Sequence, residues 1–205
     1  MELFNSIRRN SLGLGIFAIL TAGLIAITNQ LTHDTIEDNI LEAQISAFNE
    51  ILPNNLYDND LTTDTALLTA NPLLGSEEKI KVHIARLNGE VTGFIFETIA
   101  PRGYNGNLDM LIAINKDGVV TGSRVISHKE TPGLGDKVDL KKSPWILSFE
   151  NKSLTNTTLK GWAVKKDGGD FDQFTGATIT PRAVVRAVKN TLIYFEQNKN
   201  ALLAR

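Results

Sequence analysis

The amino-acid sequence predicts an α+β protein, with one N-terminal transmembrane helix followed by an extracytoplasmic domain in which an antiparallel sheet packs against helices. Three patterns support this class: an uncharged apolar run near the N-terminus, alternating apolar and polar residues after residue 79, and a helical apolar pattern after Pro181. Strands that are followed by a helix, rather than alternating with helices, are typical of α+β folds.

The composition excludes several classes of function. The chain has 205 residues, a net charge of −2 and no cysteine. The lack of cysteine excludes disulfides, thiolate nucleophiles and cysteine-ligated zinc or iron–sulfur sites within the chain. The near-neutral charge gives no basic field for nucleic acid, and the three histidines lie too far apart in sequence to indicate a metal site. Redox chemistry would therefore need an organic cofactor or an unusual metal site.

Residues 11–28 are predicted to form a transmembrane helix. The segment from Leu12 to Ile27 carries no charge and one polar residue, Thr21. With its flanking residues it just reaches the length that crosses a bilayer, about 17–25 residues. A cleavable signal peptide is one alternative, although its apolar region is usually shorter and no clear cleavage site follows. A buried helix of a soluble domain is the other alternative.

The charges that flank this helix predict its direction. Arg8 and Arg9 precede it, whereas acidic residues follow it between Asp34 and Glu42. The positive-inside rule then places residues 1–10 in the cytoplasm and the rest of the chain beyond the membrane. In a Gram-negative cell, the protein would be a single-pass inner-membrane protein with a periplasmic C-terminal domain.

Residues 29–53 predict a stalk helix between the membrane and the domain. Apolar residues recur there at helical spacing, and Pro53 ends the pattern. The apolar face consists of Ile36, Ile40, Ile45, Phe48 and Leu52. The domain is expected to run from residue 54 to residue 205. It begins with a segment to residue 76 that is rich in Asn, Asp and Thr and is expected to be irregular, with room for a short helix.

Four strands are predicted in the domain, over residues 79–87, 90–98, 110–115 and 119–127. Asn88 and Gly89 form a strong hairpin-turn signal between the first two. In the first strand, apolar residues alternate with Lys81 and His83. This alternation predicts a half-buried strand, with His83 on its polar outer face.

The end of the chain predicts a long amphipathic helix from Pro181 to about Leu203. Its apolar residues recur along one face, and most of its charged residues lie off that face. Thr180 is the expected N-cap and Pro181 the first helical residue. A short helix is also expected between Asp139 and Glu150, where Pro144 limits its start.

The stretch DQFTGATITP, residues 172–181, has the features of a phosphate site. A helix N-terminus presents unpaired N–H groups and a partial positive charge. Gly176 permits a sharp turn or the close approach of a ligand. The hydroxyls of Thr175, Thr178 and Thr180 can bond to a phosphate or become bonded to it. Helix capping and a tight turn explain the same residues without a ligand, so on the residues alone both interpretations stay open.

The order Asp172-x-x-Thr175-Gly176-Ala177-Thr178 resembles the Asp-x-x-Ser/Thr-Gly-Ala-Thr signature of proteins that carry covalent FMN. In those proteins a flavin transferase moves FMN from FAD to the last threonine, and a phosphodiester then links the two. The segment HKETPGLGDK, residues 128–137, is similar to the Glu-Thr-Pro-Gly-Leu-Gly segment of the same FMN-binding domain, and GYNG at 103–106 also fits. The whole chain resembles the family of G subunits of Rnf electron-transport complexes.

The resemblance implies which residues hold the cofactor. Thr178 would carry the FMN phosphoryl group. The other positions of the transferase signature are Asp172, Thr175, Gly176 and Ala177. The residues that would lie along the flavin are Glu130, Thr131, Pro132, Gly133, Leu134 and Gly135. Thr175 stands where many relatives have serine, and both residues supply the hydroxyl.

The resemblance also implies the function. The chain would be an electron carrier in an ion-translocating oxidoreductase complex that passes electrons between NADH and ferredoxin or another acceptor. No catalytic triad or nicotinamide-binding fold indicates a substrate site of its own. The expected partners are the other membrane subunits and, during maturation, the flavin transferase.

Three alternative functions stay open. The first is the C subunit of a sodium-translocating NADH:quinone oxidoreductase, whose extracytoplasmic region is usually longer. The second is a module that binds a phosphorylated ligand non-covalently at the same helix start. The third is an anchored scaffold protein without a cofactor.

Overall fold

The computed structural model describes residues 2–205, apart from the side chains at positions 2, 3, 5, 34, 35, 37, 38 and 40. The side chain of Ile40, which is expected on the stalk face, therefore lies outside the described part. The chain divides into two compact units, one that ends at Gln44 and one that covers Ile45–Arg205. A continuous helix, α1, spans Glu2–Ile51 and includes most of the predicted stalk.

The first unit contains a candidate membrane span. Residues Ser6–His33 of α1 form 28 apolar-rich residues with a mean hydropathy of 2.1, and none of the apolar window is buried in the protein. The hydroxyls of Thr21 and Thr28 donate to the carbonyl oxygens of Phe17 and Leu24, each at 2.9 Å. Polar groups inside a membrane need such internal partners, so this helix meets the requirement for the predicted anchor.

The second unit is built on a five-stranded antiparallel meander in the order β1-β2-β3-β4-β5. The strands are β1 (Thr65–Leu68), β2 (Ile80–Leu87), β3 (Glu90–Gly103), β4 (Gly106–Asn115) and β5 (Val120–Ser127). The α+β class is confirmed. β1 lies in the segment predicted to be irregular. A four-residue edge strand is too short to show a clear alternation of apolar and polar residues.

Two hairpin turns shape the sheet. Asn88 and Gly89 both have positive φ, 53° and 83°, as the primed two-residue turn predicted at this point requires. The β3–β4 hairpin is longer than predicted and reaches Gly103 and Gly106. A register shift between Ala100 and Gly103 interrupts the alternation there, and this irregularity hid the end of the hairpin from the sequence pattern.

The helix α2, Ile179–Leu203, covers one face of the sheet. Phe195 of α2 lies 6.0 Å from Phe94 of β3 between ring centroids, and Tyr194 meets Phe96 edge to face at 6.3 Å. Aromatic pairs at these separations add to the stabilisation from apolar burial. The short helix expected between residues 139 and 150 is a 3₁₀ helix that begins at Pro144.

The end of α1 covers the opposite face, together with the segment that follows it. Phe48, Ile51 and Leu52 are buried there, in a second apolar cluster with residues of β2, β3 and β4. Hydrogen bonds fix this helix end, since Thr121 of β5 donates its hydroxyl to the carbonyl oxygen of Ile51 at 2.7 Å. The central part of the sheet is therefore covered on both faces.

The prediction that His83 lies on an exposed face of its strand is wrong, because the end of α1 covers that face. The residue is 1% exposed, and its ring lies 4.5 Å from the ring of Phe48. Its Nδ1 lies 2.7 Å from the carbonyl oxygen of Leu61 and its Nε2 lies 2.8 Å from Glu97 Oε1. Alternation alone shows which residues share a face, and only the packing of α1 shows that the second face is buried.

A substitution at Gly122 tests how much the packing of the last turn of α1 contributes to the stability of the domain. A Cβ at this position would lie 2.6 Å from the Cα of Ile51 and 2.8 Å from its carbonyl oxygen. Gly122→Ala should therefore displace the helix end and lower the free energy of unfolding by about 1–3 kcal/mol, measured by thermal melting. Thr121→Ser, which keeps the hydroxyl bonded to Ile51, is the control and should melt near the wild type. An unchanged melting temperature for Gly122→Ala would show that the helix end adapts freely.

Candidate cofactor site

A cavity of about 310 Å³ lies where three segments of the second unit meet. These segments are the β3–β4 turn, the loop after β5 and the start of α2. The lining residues are Tyr104, Glu130, Thr131, Leu134, Gly135, Gly176, Ala177, Thr178, Ile179 and Thr180. The cavity thus unites residues of all three sequence segments on which the resemblance rests.

The helix α2 begins two residues earlier than predicted. Thr178 is the N-cap and Ile179 the first helical residue, so the predicted N-cap at Thr180 is wrong. Thr180 is buried in the first turn, where its hydroxyl donates to Glu130 Oε2 at 2.7 Å. Pro181 also lies in the first turn, where the lack of a backbone N–H costs no helical hydrogen bond.

Thr178 lies at the edge of the cavity with a side chain that is not engaged in capping the helix. It is half-buried, lines the cavity and makes no capping hydrogen bond with its own side chain. Its hydroxyl therefore lies at the N-terminus of α2 but accepts no hydrogen bond from the backbone N–H groups of the first turn. The N–H groups of the first turn and the helix dipole favour a negative group at this position.

Glu130 ties the three segments together. The residue is 6% exposed, and its Oε1 accepts from the backbone N–H of Asn105 at 3.2 Å while its Oε2 accepts from Thr180. Two glycines make room for the carboxylate: a Cβ on Gly103 would lie 2.6 Å from Oε1, and one on Gly135 would lie 2.5 Å from Oε2. A side chain at either position would collide with the carboxylate, and at Gly103 it would also lie 2.5 Å from the carbonyl oxygen of Gly106.

The loop from Thr131 to Leu134 is a tight turn. The N–H of Leu134 donates to the carbonyl oxygen of Thr131 at 3.1 Å, and Gly133 has a φ of 78°. Proline at the second position and a positive φ at the third are the features of a type II turn. The turn brings Leu134 to the cavity, with its side chain 42% exposed.

Apolar side chains form the exposed rim of the cavity. Tyr104 is 65% exposed and Ile179 is 45% exposed, and both line the cavity with Leu134. Sequence reasoning did not select Tyr104 or Ile179 as site residues. The signal was present, because each is a large apolar residue inside or beside a motif whose other positions are small or polar.

The structure separates the predicted site residues into two groups. Glu130, Thr131, Leu134, Gly135, Gly176, Ala177 and Thr178 line the cavity, whereas Asp172, Thr175, Pro132 and Gly133 do not. Asp172 is exposed, and its carboxylate pairs with Lys165 Nζ at 2.6 Å. Its carbonyl oxygen accepts from the indole N–H of Trp145 at 2.8 Å. The first half of the signature thus presents an outer surface, and the second half borders the cavity.

An ion pair holds the segment before the signature against α2. Arg182 donates from Nε and a terminal nitrogen to the two carboxylate oxygens of Asp167, each at 2.6 Å. These hydrogen bonds lower the pKa of Asp167 and raise the pKa of Arg182. Such a bidentate pair fixes geometry as well as adding attraction.

The residues present fit an FMN group. The helix N-terminus suits the phosphate, the unengaged hydroxyl of Thr178 suits a covalent link, and Tyr104, Leu134 and Ile179 suit a flat aromatic ring. Across the part of the chain that the structure describes, no group of three or more His, Asp or Glu side chains could hold a metal ion.

Comparison with known proteins supports an FMN-binding domain. An FMN-binding domain family model matches residues 103–193, and the model of the RnfG N-terminal region matches residues 1–51. The chain is 48% identical over 203 residues to the G subunit of the ion-translocating oxidoreductase complex of Vibrio atlanticus, and the match covers 99% of this chain and 97% of the relative. The corresponding G subunit of Shewanella loihica is 46% identical over 200 residues, covering 98% and 94%.

The Asp167–Arg182 pair yields a prediction about pH. An Asp carboxyl normally titrates near pH 3.9, and the hydrogen bonds from Arg182 should make Asp167 titrate lower in a carbon-detected NMR titration of the full chain in micelles. Because the folded pKa is the lower one, the pair stabilises the fold above the ordinary pKa and loses this effect as pH falls through the folded pKa.

Two variants test the cause. Arg182→Gln should return the titration of Asp167 to the ordinary range. Arg186→Gln, one turn further along α2, removes a charge that does not bond to Asp167 and should leave the titration close to that of the wild type. Equal effects of both variants would contradict the role of the hydrogen bonds.

Proposed function

The chain belongs to the family of G subunits of ion-translocating oxidoreductase complexes, and on that premise we propose that it is a membrane-anchored electron carrier whose FMN is covalently attached to Thr178. The observation that carries the proposal is the position of the Thr178 hydroxyl. It stands at the N-terminus of α2, at the edge of the cavity, without a capping bond of its own.

The attachment is a transfer of a phosphoryl group. The Thr178 oxygen forms a bond to the phosphorus of the FMN half of FAD, the bond between the two phosphates of FAD breaks, and AMP leaves as the hydroxyl proton is released. A flavin transferase carries out this step and reads the exposed half of the signature, Asp172 and Thr175. The remaining phosphodiester charge lies at the helix N-terminus, which stabilises it.

The protein supplies placement, and the flavin supplies the redox chemistry when it is bound. A covalent link keeps the cofactor in a compartment where free FMN is not replenished. It also fixes the distance to the next carrier. The exposed apolar rim of Tyr104, Leu134 and Ile179 leaves the bound ring open to a neighbouring protein of the complex rather than enclosed with a substrate. The carrier therefore works inside the complex and needs no substrate site of its own.

The orientation in the membrane belongs to the same proposal. Arg8 and Arg9 favour a cytoplasmic N-terminus, and the second unit then lies in the periplasm of a cell with two membranes, anchored in the inner one. The single span packs against other membrane proteins of the complex.

The first test is the loss of covalent flavin in Thr178→Ala. The wild-type chain, produced with a flavin transferase, should show a fluorescent band in a denaturing gel and an intact mass increased by FMN less one water. Thr178→Ala should lose both signals because it lacks the attacking hydroxyl. Thr62→Ala, at another half-buried threonine, is the control and should keep them. Wild-type chain that stays dark in that host contradicts the proposal, and flavin that denaturation releases indicates a non-covalent ligand module instead.

The second test uses the absence of native cysteine. Glu77 is exposed in the second unit and Ser6 is exposed near the N-terminus, so a single cysteine at either site reports which side of the membrane it occupies. In spheroplasts, Glu77→Cys should react with a membrane-impermeant maleimide, whereas Ser6→Cys should react only after lysis. The reverse pattern would show the opposite orientation.

A further inference from the structure

We propose that Glu130 lowers the reduction potential of the flavin held in the cavity. This inference rests on the proposed function and adds a role for one residue within it. It assigns Glu130 to the electrostatics of the bound ring rather than to its attachment. Three observations support it: the charge inventory of the cavity, the burial of the carboxylate and the two donors that hold it.

The charged side chains that line the cavity, among the described residues, are all negative. Among the described residues that line the cavity, Glu130 is the one carboxylate, and no lysine, arginine or histidine accompanies it. The N-terminus of α2, which carries a partial positive charge, lies at Thr178. The negative charge of the phosphodiester in the proposed link would neutralise this partial positive charge. No side-chain cation of the described lining therefore offsets the carboxylate near the ring.

The carboxylate is buried and held in its acceptor role. Glu130 is 6% exposed, and its two oxygens each accept a hydrogen bond, one from the Asn105 N–H and one from the Thr180 hydroxyl. A backbone N–H can only donate, so Oε1 is the acceptor in the bond from Asn105. Gly103 and Gly135 lie directly against its two oxygens, where a side chain would collide with the carboxylate.

The burial of Glu130 determines how strongly its charge acts on the reduction potential of the flavin. Water and salt screen exposed charges, so these interact weakly, whereas partly buried charges are screened much less. Reduction adds negative charge to the flavin ring, so a fixed negative charge beside it disfavours the reduced form. Removing that charge should make reduction easier, which means a more positive reduction potential.

The experiment is a spectroelectrochemical titration of the flavinylated full chain at pH 8. Glu130→Gln keeps the shape of the side chain, and its amide can still accept from Asn105 while it donates to the Thr180 oxygen. The variant should favour the two-electron reduced form at least tenfold more than the wild type, a rise of about 30 mV. Its melting temperature, measured in parallel, should stay within a few degrees of the wild type.

A second variant separates the charge from the shape of the side chain. Glu130→Asp keeps the negative charge but shortens the side chain, so its potential should stay below that of Glu130→Gln. A merely structural disturbance of the cavity would shift the potential of both variants alike. If Glu130→Gln fails to fold, Glu130→Met, which also removes the charge at similar length, is measured instead and should show the same rise.

The control is Glu196→Gln, which removes one negative charge from the same helix, 18 residues beyond Thr178 and thus roughly 27 Å along its axis. It should leave the potential unchanged. An unchanged potential in a folded, flavinylated Glu130→Gln protein overturns the inference, and so does an equal rise in Glu196→Gln. A chain that never becomes flavinylated overturns the proposed function instead, and the intact mass separates the two failures.

Discussion

The buried carboxylate of Glu130 is the contact on which the site depends. It joins the β3–β4 turn, the loop after β5 and the first turn of α2 through one oxygen each to Asn105 and Thr180. Without it, the cavity would be bordered by three segments with no common polar partner. Because Thr178 stands two residues before Thr180, the same hydrogen bond also sets the position of the hydroxyl that we propose as the attachment point.

The sheet is a rigid support for this contact because both of its faces are covered. The aromatic residues of α2 pack on one face, and the last turn of α1 packs on the other beside β5. A close-packed sheet transmits small changes in side-chain volume, so the glycine at 122 matters although it lies outside the cavity. The last turn of α1 is thus part of the core of the domain.

The site is suited to a carrier rather than to an enzyme with its own substrate. Its polar half suits a phosphate, and its apolar half is an exposed rim of Tyr104, Leu134 and Ile179. An enclosed pocket would protect a reacting substrate from water, whereas an open rim lets a second redox partner approach the ring. The electrostatics of the pocket then become the main means by which the protein adjusts the cofactor.

The sequence by itself determined the elements that depend on local spacing. The apolar N-terminal run, the Asn88-Gly89 hairpin, the long C-terminal helix and the two motifs of the site are all legible from neighbouring residues. Only the tertiary structure decided that His83 is buried, that the N-cap position of α2 is Thr178 rather than Thr180, and that Tyr104 and Ile179 join the rim. Each of these depends on a contact between distant segments, such as the Thr180–Glu130 bond across 50 residues, and local periodicity carries no information about which distant segments meet.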